Sequence, residues 1–234
     1  MSSIFDGLNY DIILYILNFL NDKDKICFTS IEQEMNLLKY HIEFHDIYKY
    51  KKIKHLSFIK NFKHIKYTSE NTKIPNYITH LTFRYNFNQK IKDSIPNSVT
   101  HLTFGSHFDE EIKGLIPNSV THLTLGTKFN QEIKNYIPNS VTHLTFGRKF
   151  NQKIKNSIPD SVTHLIFGQN FNQKIKNSIP NSVTHLTFGK NFDQKIKDLI
   201  PNGVTHLFFD KKYFLPTKND IPSTVKYLAS TKNN

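Results

Sequence analysis

Cysteine is almost absent from this chain, glycine is scarce and tryptophan does not occur. Cys27 is the single cysteine in 234 residues, so no intramolecular disulfide can form. One thiol also excludes the usual cysteine-based zinc sites. The eight glycines form no glycine-rich phosphate loop. Long apolar runs are missing as well: the longest, residues 12–17, is far too short to span a bilayer. The opening MSSIFDGLNYDII lacks the basic start of a signal peptide. Carboxylates do not cluster, except at Asp109, Glu110 and Glu111. Cys27 falls in a segment that reads as an apolar helix, so a buried thiol is expected rather than a nucleophile. Together these shortages point away from an enzyme, with no catalytic, cofactor-binding or metal-ligating set in view. They lead to the expectation of a soluble, cytoplasmic protein with no membrane partner.

Positive charge and large aromatics are what the chain does have. The formal charge is +12, with 31 Lys and Arg against 19 Asp and Glu. Residues 1–73 carry 11 against 9, a net of +2, and residues 74–234 carry 20 against 10, a net of +10. Only Arg84 and Arg148 are arginines. The hydrophobic share is low at 38%, but 20 Phe and 11 Tyr supply bulk, and a few large side chains at fixed positions can still build a core.

Those fixed positions are set by a repeat. Ile-Pro occurs at 74, 95, 116, 137, 158, 179, 200 and 221, always 21 residues apart. Seven full copies follow (74–94, 95–115, 116–136, 137–157, 158–178, 179–199 and 200–220), then a partial copy and tail at 221–234. A fixed period of this length means a solenoid, in which each repeat is one coil packed on its neighbours. With the Ile numbered zero, offsets 0, 4, 7, 9, 13 and 17 are apolar in most copies; in the second copy they are Ile95, Val99, Leu102, Phe104, Phe108 and Ile112. Leu102 and Phe104 lie two apart and share one face of a strand, so His101 and Thr103 share the other. Residues 100–104 are strand formers, and Gly105 ends them. The remaining apolar offsets turn the chain back to bury each corner, and Pro96 stiffens a turn.

This phrase resembles the FNIP repeat, a short relative of the leucine-rich repeat. The Ile-Pro, the Val-x-x-Leu-x-Phe-Gly strand and the following Phe-Asn-Gln carry the resemblance, from residue 74 to about 225. It implies a curved coil with parallel strands on the concave side. The last copy departs from the pattern with Asp210, Tyr213, Phe214, Pro216 and Thr217, as expected of a terminal cap. Upstream, residues 55–58 (HLSF) echo the strand 25 residues before His80. Residues 49–73 are therefore expected to be a degenerate first coil with an insertion at 68–72. The fold class is α+β: a small helical unit and then a leucine-rich-repeat-like solenoid with a parallel sheet.

Histidine recurs at one offset as His80, His101, His122, His143, His164, His185 and His206. Parallel rungs lie about 4.8 Å apart. A metal ladder and a pH sensor are both open readings, because imidazole binds metals and titrates near neutrality. A stacked, partly buried row that shields the sheet is the simpler one. The neighbouring column is Thr103, Thr124, Thr145, Ile166, Thr187 and Phe208. This concave strip is the candidate surface for a protein target, although offsets 11, 12 and 16 vary more and offer an alternative edge. Lysine recurs at offset 18 as Lys92, Lys113, Lys134, Lys155, Lys176, Lys197 and Lys218. A solvated ridge that keeps the solenoid soluble accounts for it. Nonspecific nucleic-acid binding is the weaker alternative, since arginine is scarce, and no specific nucleic acid is expected.

Residues 1–48 do not fit the repeat. Ile12, Ile13, Ile16, Leu17, Phe19 and Leu20 make an apolar surface wider than one helical stripe. Asn21 or Asp22 can cap a second helix through Ile26 and Phe28, and a third helical stretch is expected over 31–40. Such a unit has more apolar surface than it can bury alone. The segment resembles an F-box, with Leu8, Asp11, Ile13, Ile16, Phe19, Leu20, Asp24 and Ile26 as the matching residues; Asn9 stands where that family usually has proline. The resemblance implies a Skp-type adaptor as partner and, through it, a cullin–RING ubiquitin ligase. Leu8, Ile12, Ile13, Ile16, Phe19, Leu20 and Ile26 would be the apolar anchors, and the solenoid would present a protein target. F-box proteins with FNIP repeats are typical of amoebae and of the large DNA viruses that infect them, so a viral copy would act in the host cytoplasm. A solenoid cap without any ligase link remains the alternative. The protein by itself is expected to be a monomer.

Overall fold

The computed structural model describes residues 9–31, 35–91, 94–210 and 216–230. They fall into two compact units, the first up to Tyr67 with Tyr77–Thr79 and the second from Thr68–Asn76 and His80 onward.

The first unit opens with helix α1 (Tyr10–Leu17). Asn9 caps it: its side-chain oxygen accepts from the Asp11 amide at 2.9 Å, a job proline could not do. Helix α2 (Asp22–Phe28) is capped by Asn21, whose oxygen accepts from the Asp24 amide at 3.0 Å. The third helical stretch is a 3-10 turn, Met35–Tyr40. Strand β1 (Phe44–Lys49), helix α3 (Tyr50–Ile53), a 3-10 turn (Ile59–Asn61) and strand β2 (Phe62–Ser69) follow. β1 and β2 pair in parallel, and Phe44 stacks on Phe62 at 4.6 Å.

Three expectations are corrected here. Residues 55–58 are not a strand; they lie in the turn that leads to the Ile59–Asn61 helix. The first unit therefore runs past residue 48, and the strand belongs to 62–69. The Thr79 amide donates to the Ile65 carbonyl across 14 residues, whereas in the repeats the Thr121 amide reaches Thr100 across 21. The connection is thus shortened, not lengthened by an insertion. Third, Cys27 is exposed. The face of α2 that turns inward is ionic: Asp22 and Lys25 are buried. Asp22 Oδ2 accepts from the Asp46 amide at 2.7 Å and from the Tyr48 hydroxyl at 3.2 Å. Lys25 Nζ lies 3.7 Å from Asp22 and donates to the Glu43 carbonyl at 2.8 Å. With every polar atom engaged, the pair clips α2 to β1.

In the second unit, strands β3 (His80–Phe83), β4 (His101–Thr103), β5 (His122–Thr124), β6 (His143–Thr145), β7 (His164–Ile166), β8 (His185–Phe188), β9 (His206–Phe209) and β10 (Tyr227–Ser230) pair in parallel in sequence order. The register is a whole repeat at every step, so His101 faces His122 and Leu102 faces Leu123. Strands β3 to β9 each alternate a half-buried His with a buried Leu, as a period of two requires. The apolar offsets form the core: Val141, Leu144, Phe146, Phe150 and Ile154 are each at most 2% exposed. Residues 211–215 and 231–234, which carry part of the expected cap and tail, lie outside the described residues.

Side-chain ladders tie coil to coil. Ser140 donates to the Val120 carbonyl at 2.8 Å and Ser161 to Val141 at 2.7 Å. Asn130 Oδ1 accepts from the Asn151 amide at 2.8 Å, and Asn151 Oδ1 from Asn172 at 2.9 Å. Gln152 Nε2 adds a bond to the Asn130 carbonyl at 2.8 Å. The Phe-Asn-Gln of the repeat is therefore a ring and two ladder residues. At offset 19 the backbone enters the left-handed region in five copies, at Gly114, Asn135, Asn156, Asn177 and Asp198. These are the residue types that tolerate it.

Equivalent rings measure how the coils fan apart. Successive His rings are 4.1 to 4.2 Å apart. The Phe146, Phe167 and Phe188 rings are 5.5 to 5.6 Å apart. The Phe129, Phe150, Phe171 and Phe192 rings are 6.2 to 6.3 Å apart. Spacing thus grows from the histidine face through the core, so the histidine face is the concave one.

Two stability outcomes follow from this packing. Phe146→Ala removes a ring 3.9 Å from Phe150, and should cost about 3–5 kcal/mol in chemical denaturation. Gly147→Ala would set a Cβ 1.9 Å from the Gly126 carbonyl oxygen. That backbone cannot yield locally, so a loss of about 1–3 kcal/mol is expected in the same assay.

Candidate protein-interaction surfaces

The helical unit presents one apolar face outward. Ile12, Ile16 and Phe19 are 49%, 48% and 73% exposed, with Tyr15 at 66% and Ile26 at 44%. Tyr15 and Phe19 meet edge to face at 5.0 Å. Ile13 and Leu17, one helical turn apart, are buried and hold α1 to its own unit. Leu20 is half-buried, and Leu8 lies outside the described residues. Of the anchors expected from the sequence, Ile12, Ile16, Phe19 and Ile26 are accessible, whereas Ile13 is part of the core. Tyr15 was missed; its spacing of four from Phe19 was the available signal.

The concave face is built from two columns. His80, His101, His122, His143, His164, His185 and His206 stack as half-buried imidazoles, and Tyr227 closes the row on His206 at 4.4 Å. Beside them run Thr103, Thr124, Thr145, Ile166, Thr187 and Phe208, with Ile166 41% exposed. Thr142 Oγ1 lies 2.9 Å from His143 Nδ1 and 3.2 Å from the Thr121 carbonyl. That carbonyl already accepts the Thr142 and His143 amides at 2.9 and 3.0 Å. A carbonyl oxygen can only accept, so the Thr142 hydroxyl donates its one proton to Thr121, and its oxygen is left to accept from a protonated His143 Nδ1. The same pattern repeats at Thr121, Thr163, Thr184 and Thr205. Each of these five imidazoles is thus held through Nδ1 by the threonine that precedes it. Rings stacked face to face do not converge their nitrogens on one point, and among the described residues no group of three or more ligating side chains could hold a metal.

Lys113, Lys134, Lys155, Lys176 and Lys197 are exposed, alternating with buried Ile112, Ile133, Ile154, Ile175 and Ile196. Lys92 lies outside the described residues. These lysines therefore point outward from the coil, opposite to the isoleucines between which they lie.

What such an assembly offers is binding surface: stacked coils of parallel strands with a polar concave face and an outward row of lysines, and an apolar helical face. This is a repeat solenoid of the protein-interaction class. Six overlapping stretches, from residues 70–107 to 171–212, match the FNIP repeat family, and the chain belongs to that family. Its relatives include a putative F-box protein of Acanthamoeba polyphaga mimivirus, 40% identical over 33% of this chain and 28% of its own length. A second putative F-box protein of that virus is 48% identical over 27% of this chain and 48% of its own. A putative F-box and FNIP repeat-containing protein of the same virus is 35% identical over 30% and 25%. The matched stretch thus spans half or less of each of these relatives. Among solved structures, CroV588, a circular leucine-rich-repeat protein, aligns with a TM-score of 0.63 and 44% identity over 81% of this chain and 29% of its own.

Burial, and then the charge of neighbouring imidazoles, lowers the pKa of His122, His143, His164 and His185 below the ordinary value. The unfolded chain binds protons first as pH falls through about 6.5, while these four rings in the folded chain hold out to lower pH, so their contribution to stability is complete above that value and is lost below it. The thermal midpoint should therefore be lower at about pH 5.5 than at about pH 7.5. Replacing His143 and His164 together by Gln should narrow the difference; equal midpoints for the native chain would contradict the account.

Proposed function

We propose that the chain is a non-catalytic substrate-recognition adaptor of a cullin–RING ubiquitin ligase. The helical unit binds a Skp-type adaptor, and the solenoid binds the protein to be modified. The observation that carries this reading is the outward face of α1, where Ile12, Tyr15 and Ile16, with Phe19 in the turn just after it, stay exposed on a helix whose other face is already packed. An amphipathic helix with a second apolar stripe fits a groove on a partner. The F-box names of the viral relatives support the same partner class. Ubiquitin transfer would be done by the ligase, and this chain would supply two binding surfaces and the distance between them. Its place of action would be the cytoplasm.

The test is binding of purified Skp-type adaptor to the intact chain and to an Ile16→Asp, Phe19→Asp variant. Both side chains are exposed, so the variant should fold with an unchanged circular dichroism spectrum. Removing two interface anchors should weaken binding by about 100-fold or more. Failure of the intact chain to bind at tens of micromolar would leave an interaction solenoid with no ligase link.

A further inference from the structure

The outward lysines are not evenly distributed. Residues 95–136, two coils, hold three lysines (Lys113, Lys128 and Lys134) against four carboxylates, a net of −1. Residues 137–199, three coils, hold nine Lys and Arg against three (Asp160, Asp193 and Asp198), a net of +6. The difference is concentrated at offset 16. It is Lys90 in the first copy, but Glu111 and Glu132 in the second and third, beside Lys113 and Lys134. In the next three it is Lys153, Lys174 and Lys195, beside Lys155, Lys176 and Lys197. All six of these lysines are exposed and none forms an ion pair within 4.0 Å among the described residues, although the charge of Lys197 reaches Asp220. The isoleucines between them, Ile154, Ile175 and Ile196, are buried, which turns both lysines of each coil to the outside.

A ridge needed only for solubility gains nothing from two like-charged columns side by side, since like charges repel. The fan of the coils adds a dimension. Rings in the core, three to five residues before these lysines, are 6.2 to 6.3 Å apart from coil to coil. Acidic side chains on one face of an extended peptide recur every two residues, or about 6.6–6.8 Å. We propose that Lys153, Lys155, Lys174, Lys176, Lys195 and Lys197 form a docking track for an extended acidic segment of a protein, in which alternate Asp or Glu residues meet successive coils. A single-stranded nucleic acid would find phosphate partners here, but base binding uses exposed aromatic platforms. The three coils have none beside the lysines, because their phenylalanines are buried. A target protein carrying such a segment would give the track its biological use, which rests on the reading above, whereas its binding does not.

Fluorescence anisotropy of the full chain with three labelled probes tests this: a peptide alternating Glu and Ser, one with the same number of Glu spaced every third residue, and a deoxythymidine oligomer of equal charge. The alternating peptide should bind tightest, by about fivefold over the spaced one, and should weaken steeply between about 50 mM and about 200 mM salt. Changing all six lysines to Gln should reduce its affinity by about tenfold or more while adaptor binding is unchanged. The six are surface residues, and an unchanged thermal midpoint confirms the fold. Equal binding of both peptides, or of the native and Gln chains, would overturn the proposal. Tighter binding of the oligomer would overturn it in favour of a nucleic-acid track. Loss of adaptor binding in the α1 variant bears on the ligase reading alone, so the two can fail separately.

Discussion

Each coil must accept a copy of itself on both sides, in register, one strand spacing away. This requirement governs the second unit. A residue whose column is filled by its own kind survives only if it is content beside itself. Leucine, isoleucine and valine meet it by dispersion and exclusion of water. Phenylalanine meets it by stacking, as in the Phe129, Phe150 and Phe171 column. Serine, threonine and asparagine meet it by passing a hydrogen bond to the next backbone. Histidine meets it as a neutral ring. Charged residues fail in a packed column, and they are found at offsets that point to water. Glycine at offset 10 is the limiting case: its column is so tight that backbone meets backbone, with 1.9 to 2.1 Å between a hypothetical Cβ and the preceding Gly oxygen.

Because like meets like, the repeat was readable from letters alone. Alternation at Leu102 and Phe104 fixed the inward face of the strand, and the register followed from the period. The ladder at Asn130 and Asn151 was visible as recurring letters but not as hydrogen bonds, since pairing lies in space between copies. The left-handed turn at offset 19 had a signal that only a column-wise comparison exposes: Gly, Asn, Asn, Asn and Asp in five successive copies.

The helical unit was less legible, for the opposite reason. Its contacts are made once and between unlike residues. Residues 55–58 carry the letters of a strand but sit in a turn, and the segment 62–69, which is the strand, carries them only weakly. The buried Asp22 and Lys25 find their partners at Glu43, Asp46 and Tyr48, some twenty residues on. Nothing local announces such a pairing. Helical periodicity in α1 placed an apolar face, but the division of that face between Ile13 and Leu17 inside and Ile12, Ile16 and Phe19 outside depends on what the unit packs against.

The side-chain ladders have a consequence for heredity. Every junction between two middle coils presents the same surfaces as every other junction, from the Ser bond at offset 3 to the ring stack at offset 13. A stretch of gene encoding one coil can be lost or duplicated by misaligned recombination, and the coils left on either side rejoin through surfaces that already fit. Length can therefore drift without a period of misfolding in between, while a single altered offset, such as glutamate exchanged for lysine, travels with its coil and multiplies with it.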